Sequence, residues 1–177
     1  PSIGNLGRGF DDNMVYKDKN YRWADTSGVM PNHAEVTNAV LREGRYITHA
    51  DNQQRRNVIV IGVNAADALF PGMEGEVVGK MIRMNGPMWA VIGVIEKRKA
   101  GLFGENEEDR AVVMPFRTAR KVAPHKDSTL MIIKAKSDRV QEALEDAEGI
   151  LRQRREVKFG EENNFDIKIA NSNLDIA

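Results

Sequence analysis

The side chains that titrate closest to neutral pH are three histidines, His33, His49 and His125, and a carboxylate beside one of them would make a general base or part of a metal site. They are scattered, and none has a second His at ligand spacing. His49 and Asp51 share a face if the segment is extended, yet no third ligand or orienting partner stands near them in sequence. A surface pair is the simpler reading, and a hydrolytic site near His49 and Asp51 is the rival one. The chain has no cysteine, which excludes a thiol nucleophile, a thiolate metal site and a disulfide scaffold. No serine lies in a G-x-S-x-G elbow or an S-x-x-K setting. Nothing in the sequence nominates a catalytic residue, a metal ligand or a cofactor-binding residue.

Other features point to binding rather than to reaction. Gly75, Gly79 and Lys80 imitate a phosphate loop, but three residues separate the glycines where four are needed, and Met81 stands where Ser or Thr belongs. A structural turn leading into a strand is expected instead. Glu105, Glu107, Glu108 and Asp109 carry oxygens that a hard cation would accept, without the spacing of a calcium loop; a solvated charge run is the plainer reading. Met81, Met84, Met88 and Trp89 are soft and adaptable, and their strand context assigns them to core packing. Leu102 and Phe103, flanked by Gly101 and Gly104, are large apolar side chains in a loop. Such side chains are hard to bury locally, so they dock either onto a partner or onto a neighbouring subdomain.

The elements that must position these residues follow from patterning. A chain of 177 residues, 41% hydrophobic and 29% charged, buries one good core or two small ones. Its 26 basic and 26 acidic residues give zero formal charge, so nucleic acid is not an expected partner. No apolar stretch is long enough to span a bilayer. The opening Pro1-Ser2-Ile3 lacks an initiator Met and a signal pattern, and is read as the start of an excised piece.

Residues 13–17 and 21–24 predict a small hairpin after a loop over 1–12. Residues 31–44 predict a short helix that Gly44 ends, and 51–56 a polar loop. Val58 to Gly62 is a continuous apolar strand, followed by a short helix capped at Asn64 with Asp67 in its first turn. Strands over 77–84 and 88–95 meet at Asn85-Gly86, the dipeptide that best takes the positive φ angles of a tight hairpin. A long loop over 98–110 leads to a strand over 111–116 and a helical turn over 117–122. A strand at 129–136 then precedes a helix from 138 to 155, where Val140, Ala143, Leu144, Ala147, Ile150 and Leu151 form one apolar stripe. An alternating strand over 165–170 closes the pattern. The fold class is α+β.

Five short motifs in order carry a resemblance: Gly28-Val29-Met30-Pro31-Asn32-His33-Ala34-Glu35-Val36 with Leu41 to Tyr46, Asn57 to Gly62 with Ala65 to Pro71, Gly79 to Gly86, Ala90 to Lys97, and Ala111 to Phe116. Together they resemble the MacB-like periplasmic core domain of MacB/FtsX-type ABC transporter permeases. The resemblance implies an α/β porter-like subdomain, residues 1–44 and 117–177 with its first unit incomplete, and an inserted, mainly β sabre-like subdomain with a short helix, residues 45–116. It implies no catalysis in the domain and no cofactor, with ATP hydrolysis in a separate cytoplasmic domain or subunit. The implied place is the periplasmic side of a bacterial inner membrane. Implied partners are the chain's own transmembrane helices, a cytoplasmic ATPase, a second permease copy, and a membrane fusion protein or periplasmic substrate. The implied task is to transmit conformational change for export, efflux or lipoprotein transport.

Overall fold

The computed structural model describes residues 2–3, 10–96, 107–124 and 129–169. Contacts divide the chain into two compact units, Pro1–Ile133 and Lys134–Ala177.

Ten strands of the first unit form one mixed sheet. In chain order they are β1 (Ser2–Ile3), β2 (Met14–Tyr16), β3 (Lys19–Tyr21), β4 (Asp25–Val29), β5 (Leu41–Gly44), β6 (Val58–Gly62), β7 (Met81–Met84), β8 (Met88–Ile95), β9 (Ala111–Pro115) and β10 (Thr129–Leu130). Among the described residues four short helices accompany them: α1 (His33–Thr37), α2 (His49–Gln53), α3 (Val63–Leu69) and α4 (Phe116–Val122). The strand order is β10-β1-β4-β9-β6-β8-β7-β2-β3, with β5 beside β8.

At the centre of this sheet lies β6, parallel to β8 and antiparallel to β9. All five of its residues are buried, as its unbroken apolar run predicts for a strand covered on both faces. Period-2 alternation sends Ile59 and Ile61 into one cluster, with Leu69, Ile82 and Trp89. Val58 and Val60 enter a second cluster with Val29, Ile47 and Ile95. Each large side chain so buried contributes about 1.5–3 kcal/mol of apolar transfer.

Strand β8 changes neighbour along its length. Its first residues pair with β7 as far as Ala90 and its last with β5 from Gly93 onward. There Gly44 takes a φ of +79°, and a Cβ on it would collide with the Ile92 carbonyl oxygen. A Cβ on Gly93 would collide with the Arg45 carbonyl oxygen. Two glycines are thus needed because two backbones approach closely at this junction.

Several local expectations shift. Asn38 adopts the left-handed conformation at φ 53° and ends α1, so Leu41–Gly44 is strand β5 instead of a helical continuation. The helix after β6 starts at Val63 with Gly62 as its cap, and Asn64 lies inside it. Of the expected strand over 77–84 only Met81–Met84 pairs; Val77 is buried in a turn region. The Asn85-Gly86 turn has both φ values positive, 49° and 98°, as expected of a tight hairpin.

The second unit contains α5 (Val140–Arg154), preceded by a 3₁₀ turn over Ser137–Arg139. The expected stripe is present in sequence, yet no residue of α5 is buried. Polar clamps return the following chain to the helix: Arg152 donates to the carbonyl oxygens of Lys158 and Glu161, and Arg155 to Asn164. Residues 165–169 form no strand, since an extended segment needs a neighbouring strand for its ladder and none pairs with it among the described residues. Ile167 and Ile169 are exposed. Likewise, the strand expected over 129–136 is limited to Thr129–Leu130.

Candidate functional site

The densest polar constellation lies where the chain leaving β5 meets α2 and α4. Thr48 caps α2: its hydroxyl accepts from the Asp51 amide, while the Asp51 carboxylate accepts from the Thr48 amide at 2.9 Å, a capping box. Asp51 is fully buried. Its carboxylate also accepts from Arg45 Nη1 at 2.6 Å and Nη2 at 3.2 Å, from the Thr48 hydroxyl at 2.8 Å, and from Arg56 Nη1 at 3.4 Å. Burial by itself pushes this carboxyl upward. Bonds from Arg45 and Thr48, with the Arg45 charge, outweigh burial and hold it well below the usual carboxylate range.

The next residue, Asn52, is buried and carries the connection onward. Its Oδ1 accepts from the Arg117 amide at 2.9 Å, and Thr118 Oγ1 donates to the Arg56 carbonyl oxygen at 3.0 Å. These bonds fix α4 to the end of α2. The Asp51 carboxylate itself is taken up by Arg45, Thr48 and Arg56, whose donors surround both of its oxygens and hold it as a structural anion.

His49 is exposed, and it is not among the donors to Asp51. The pair that a hydrolase would need is therefore separated: one member faces solvent and the other is locked as a helix cap. His33 is half-buried, with Nδ1 2.8 Å from Tyr46 Oη, and burial lowers its pKa from the ordinary imidazole value. This contact ties α1 to the segment after β5. His125 lies outside the described residues.

The remaining candidates separate in the same way. Gly75, Gly79 and Lys80 lie in turns before β7, not between a strand and a helix. Met84 and Trp89 are fully buried, the Trp89 indole donating to the Met84 carbonyl oxygen at 2.9 Å, whereas Met81 and Met88 are partly exposed. Of the acidic run, Glu107 and Glu108 begin a 3₁₀ turn, Glu107–Arg110, and Asp109 is buried; Glu105 lies outside the described residues, as do Leu102 and Phe103. Among the described residues no three His, Asp or Glu side chains gather closely enough to hold a metal ion. No described helix is long and apolar enough to cross a membrane.

Sequence reasoning missed the Asp51 hub because the run Asp51 to Arg56 reads as a polar loop. Thr48-x-x-Asp51 was the available signal, a capping-box spacing with Asp in place of Glu.

Comparison with known proteins places these elements. A family model described as the MacB-like periplasmic core domain matches residues 5–149. The chain is 26% identical over 157 residues to the macrolide export ATP-binding/permease protein MacB of Chlorobaculum tepidum, a match covering 88% of this chain and 23% of that protein. It is 32% identical over 118 residues to the protein of the same name from Bdellovibrio bacteriovorus, covering 67% and 17%. The chain thus spans under a quarter of the length of these curated relatives. In fold it resembles the extracellular domain of the noncanonic ABC-type transporter YknZ from Gram-positive bacteria, with a TM-score of 0.67 at 17% identity, covering 89% of this chain and 76% of that one. It also resembles the periplasmic region of MacB from Actinobacillus actinomycetemcomitans, with a TM-score of 0.54 at 18% identity, covering 90% and 74%.

Proposed function

The chain belongs to the MacB-like periplasmic core domain family, and from that premise we propose that it is the extracytoplasmic domain of an ABC transporter permease, non-catalytic, passing conformational change from cytoplasmic ATP hydrolysis to periplasmic substrates or partner proteins. The match of the family model over residues 5–149 carries this reading. The geometry of Asp51 supports it, because the carboxylate best placed to be a general base is consumed as a structural cap and is separated from His49. The hydrolase alternative loses its catalytic pair on that observation.

In this reading the porter-like region, residues 1–44 and 117–177, and the sabre-like region, residues 45–116, are functional parts of the domain. Strand β4 from one and β9 from the other pair in parallel along five residues, which would couple them mechanically. The permease works as a dimer with its own transmembrane helices and a cytoplasmic ATPase. Leu102 and Phe103 are its proposed contact with a periplasmic partner such as a membrane fusion protein.

The test is Leu102→Ser combined with Phe103→Ser in the full-length permease, assayed with its ATPase for hydrolysis and export. Basal ATP hydrolysis should persist while export and partner cross-linking fall. Unchanged export and cross-linking would remove the proposed contact, and export that persists after the whole domain is deleted would remove the transmission role.

A further inference from the structure

Sheet topology gathers basic residues at one end of the central strands. Strands β4 and β9 are parallel and β6 is antiparallel to β9, so the end of β9 and the start of β6 lie together. Arg55 and Arg56 precede β6 at that end, and α4 follows β9 there. On α4, Arg117, Arg120 and Lys121 stand at i, i+3 and i+4, hence on one helix face, and all three are exposed, whereas Thr118 and Ala119 between them are buried. The bonds from Arg117 to Asn52 and from Thr118 to Arg56 hold the two basic segments side by side. Arg45 joins them through Asp51, the carboxylate bonded into this surface, which is fully buried beneath it. The opposite end, about 15 Å away along the strand, is mixed in charge: Glu107, Glu108, Asp109 and Arg110 form the turn before β9, and Arg22 precedes β4.

A second observation falls at the same basic end. Val29 pairs with Pro115 and with Ser2, and Ser2 pairs with Leu130, so the ends of β4, β9 and β10 form one row. The chain leaving that row, Leu130-Met131-Ile132-Ile133, is apolar and 39–56% exposed. Basic side chains beside exposed aliphatic ones are the composition of a surface that rests on anionic lipid. Headgroup charge attracts the cations, and apolar side chains enter the interface.

We propose that Arg45, Arg55, Arg56, Arg117, Arg120 and Lys121, together with residues 130–133, form a surface that binds anionic phospholipid headgroups of the adjacent membrane. This rests on the extracytoplasmic reading above. Docking there sets the height and tilt of the central sheet relative to the membrane. It also gives the α2–α4 clasp a purpose beyond packing: it holds these six exposed cations on one platform. Arg55, held at a φ of +50°, turns the chain from the helix end into β6 within the same platform.

The experiment is co-sedimentation of the 177-residue chain with vesicles of phosphatidylcholine alone and of phosphatidylcholine mixed with phosphatidylglycerol. Binding is expected on the anionic vesicles only, and to vanish at about 0.5 M salt, where the screening length falls to a few ångströms. Arg117→Glu with Arg120→Glu and Lys121→Glu should raise the half-saturating lipid concentration about tenfold or more, and the neutral Gln versions, which guard against misfolding, by less. Leu130→Ser with Ile133→Ser should weaken binding while leaving its salt dependence. Lys17→Glu with Lys19→Glu, at the β2–β3 turn, should change nothing. Equal binding to neutral vesicles, or no binding, overturns the proposal, as does binding indifferent to the Glu and Gln variants. Saturable binding of inorganic phosphate without vesicle binding overturns it in favour of a free anion site. Such failure leaves the extracytoplasmic reading standing, because location is read independently by labelling in cells.

Discussion

The first unit and the second use similar sequence signals to opposite effect. In the first, the apolar run of β6 is wholly buried, and β8, β9 and α3 close around it. In the second, the apolar stripe of α5 buries none of its residues, and Arg152 and Arg155 hold the returning chain by hydrogen bonds. Periodicity tells which side chains share a face; a partner element decides whether that face leaves water. A face with such a partner resists change, and one without it tolerates change.

The contrast is sharpest at two glycines. Gly93→Ala places a Cβ against the Arg45 carbonyl oxygen at the junction of β5 and β8, and neither backbone can yield without breaking pairing. A loss of about 3 kcal/mol or more is expected, read from the midpoint of urea unfolding followed by tryptophan fluorescence. A cost below about 1 kcal/mol would break the claim that this junction is the rigid part of the sheet.

Asp51→Asn comes next. It leaves Arg45, Arg56 and the Thr48 amide without their common acceptor charge, and about 2 kcal/mol should be lost, discounted because both arginines are half exposed. The pH dependence has a definite sign. The folded carboxyl lies below its unfolded value of about 3.9, so its stabilisation is present above that value and is lost as pH falls through the folded one. Stability of the native chain should therefore fall more steeply below about pH 4 than stability of the Asn variant. Parallel pH profiles would show that the clasp carries no charge energy.

The smallest effect belongs to Gly149→Ala in α5. Apart from its chain neighbours and the helix's own backbone, no atom lies within 4 Å of the position a Cβ would take, so the exchange should raise helix stability by about 0.5–1 kcal/mol, seen as greater helicity by circular dichroism at intermediate urea. Destabilisation would mean that this helix face is packed after all and that the two units differ less than described.

Much of the first unit was legible in the sequence. Val58 to Gly62, Asn85-Gly86 and Met88 to Ile95 fall where strand, turn and strand were expected, since apolar runs bounded by turn residues have few other solutions. The ordered motifs also led to the family. Less legible was anything set by a single backbone angle or a distant partner. Asn38 stops α1 by turning left-handed. Gly62, not Asn64, caps α3 because the strand enters the helix directly. Residues 165–169 alternate like a strand but find no described neighbour to pair with. Among the site residues, His49 and Asp51 were adjacent in the reading and divided in the fold, because a capping box turned one inward and left the other outside.

The central claim is that this domain stands outside the cytoplasm as part of a permease. Asp18→Cys on the exposed β2–β3 turn gives a single thiol in a domain that has none. With the full-length protein, a membrane-impermeant maleimide should label this site in intact spheroplasts as fully as after lysis. Labelling that appears only after lysis would contradict the account.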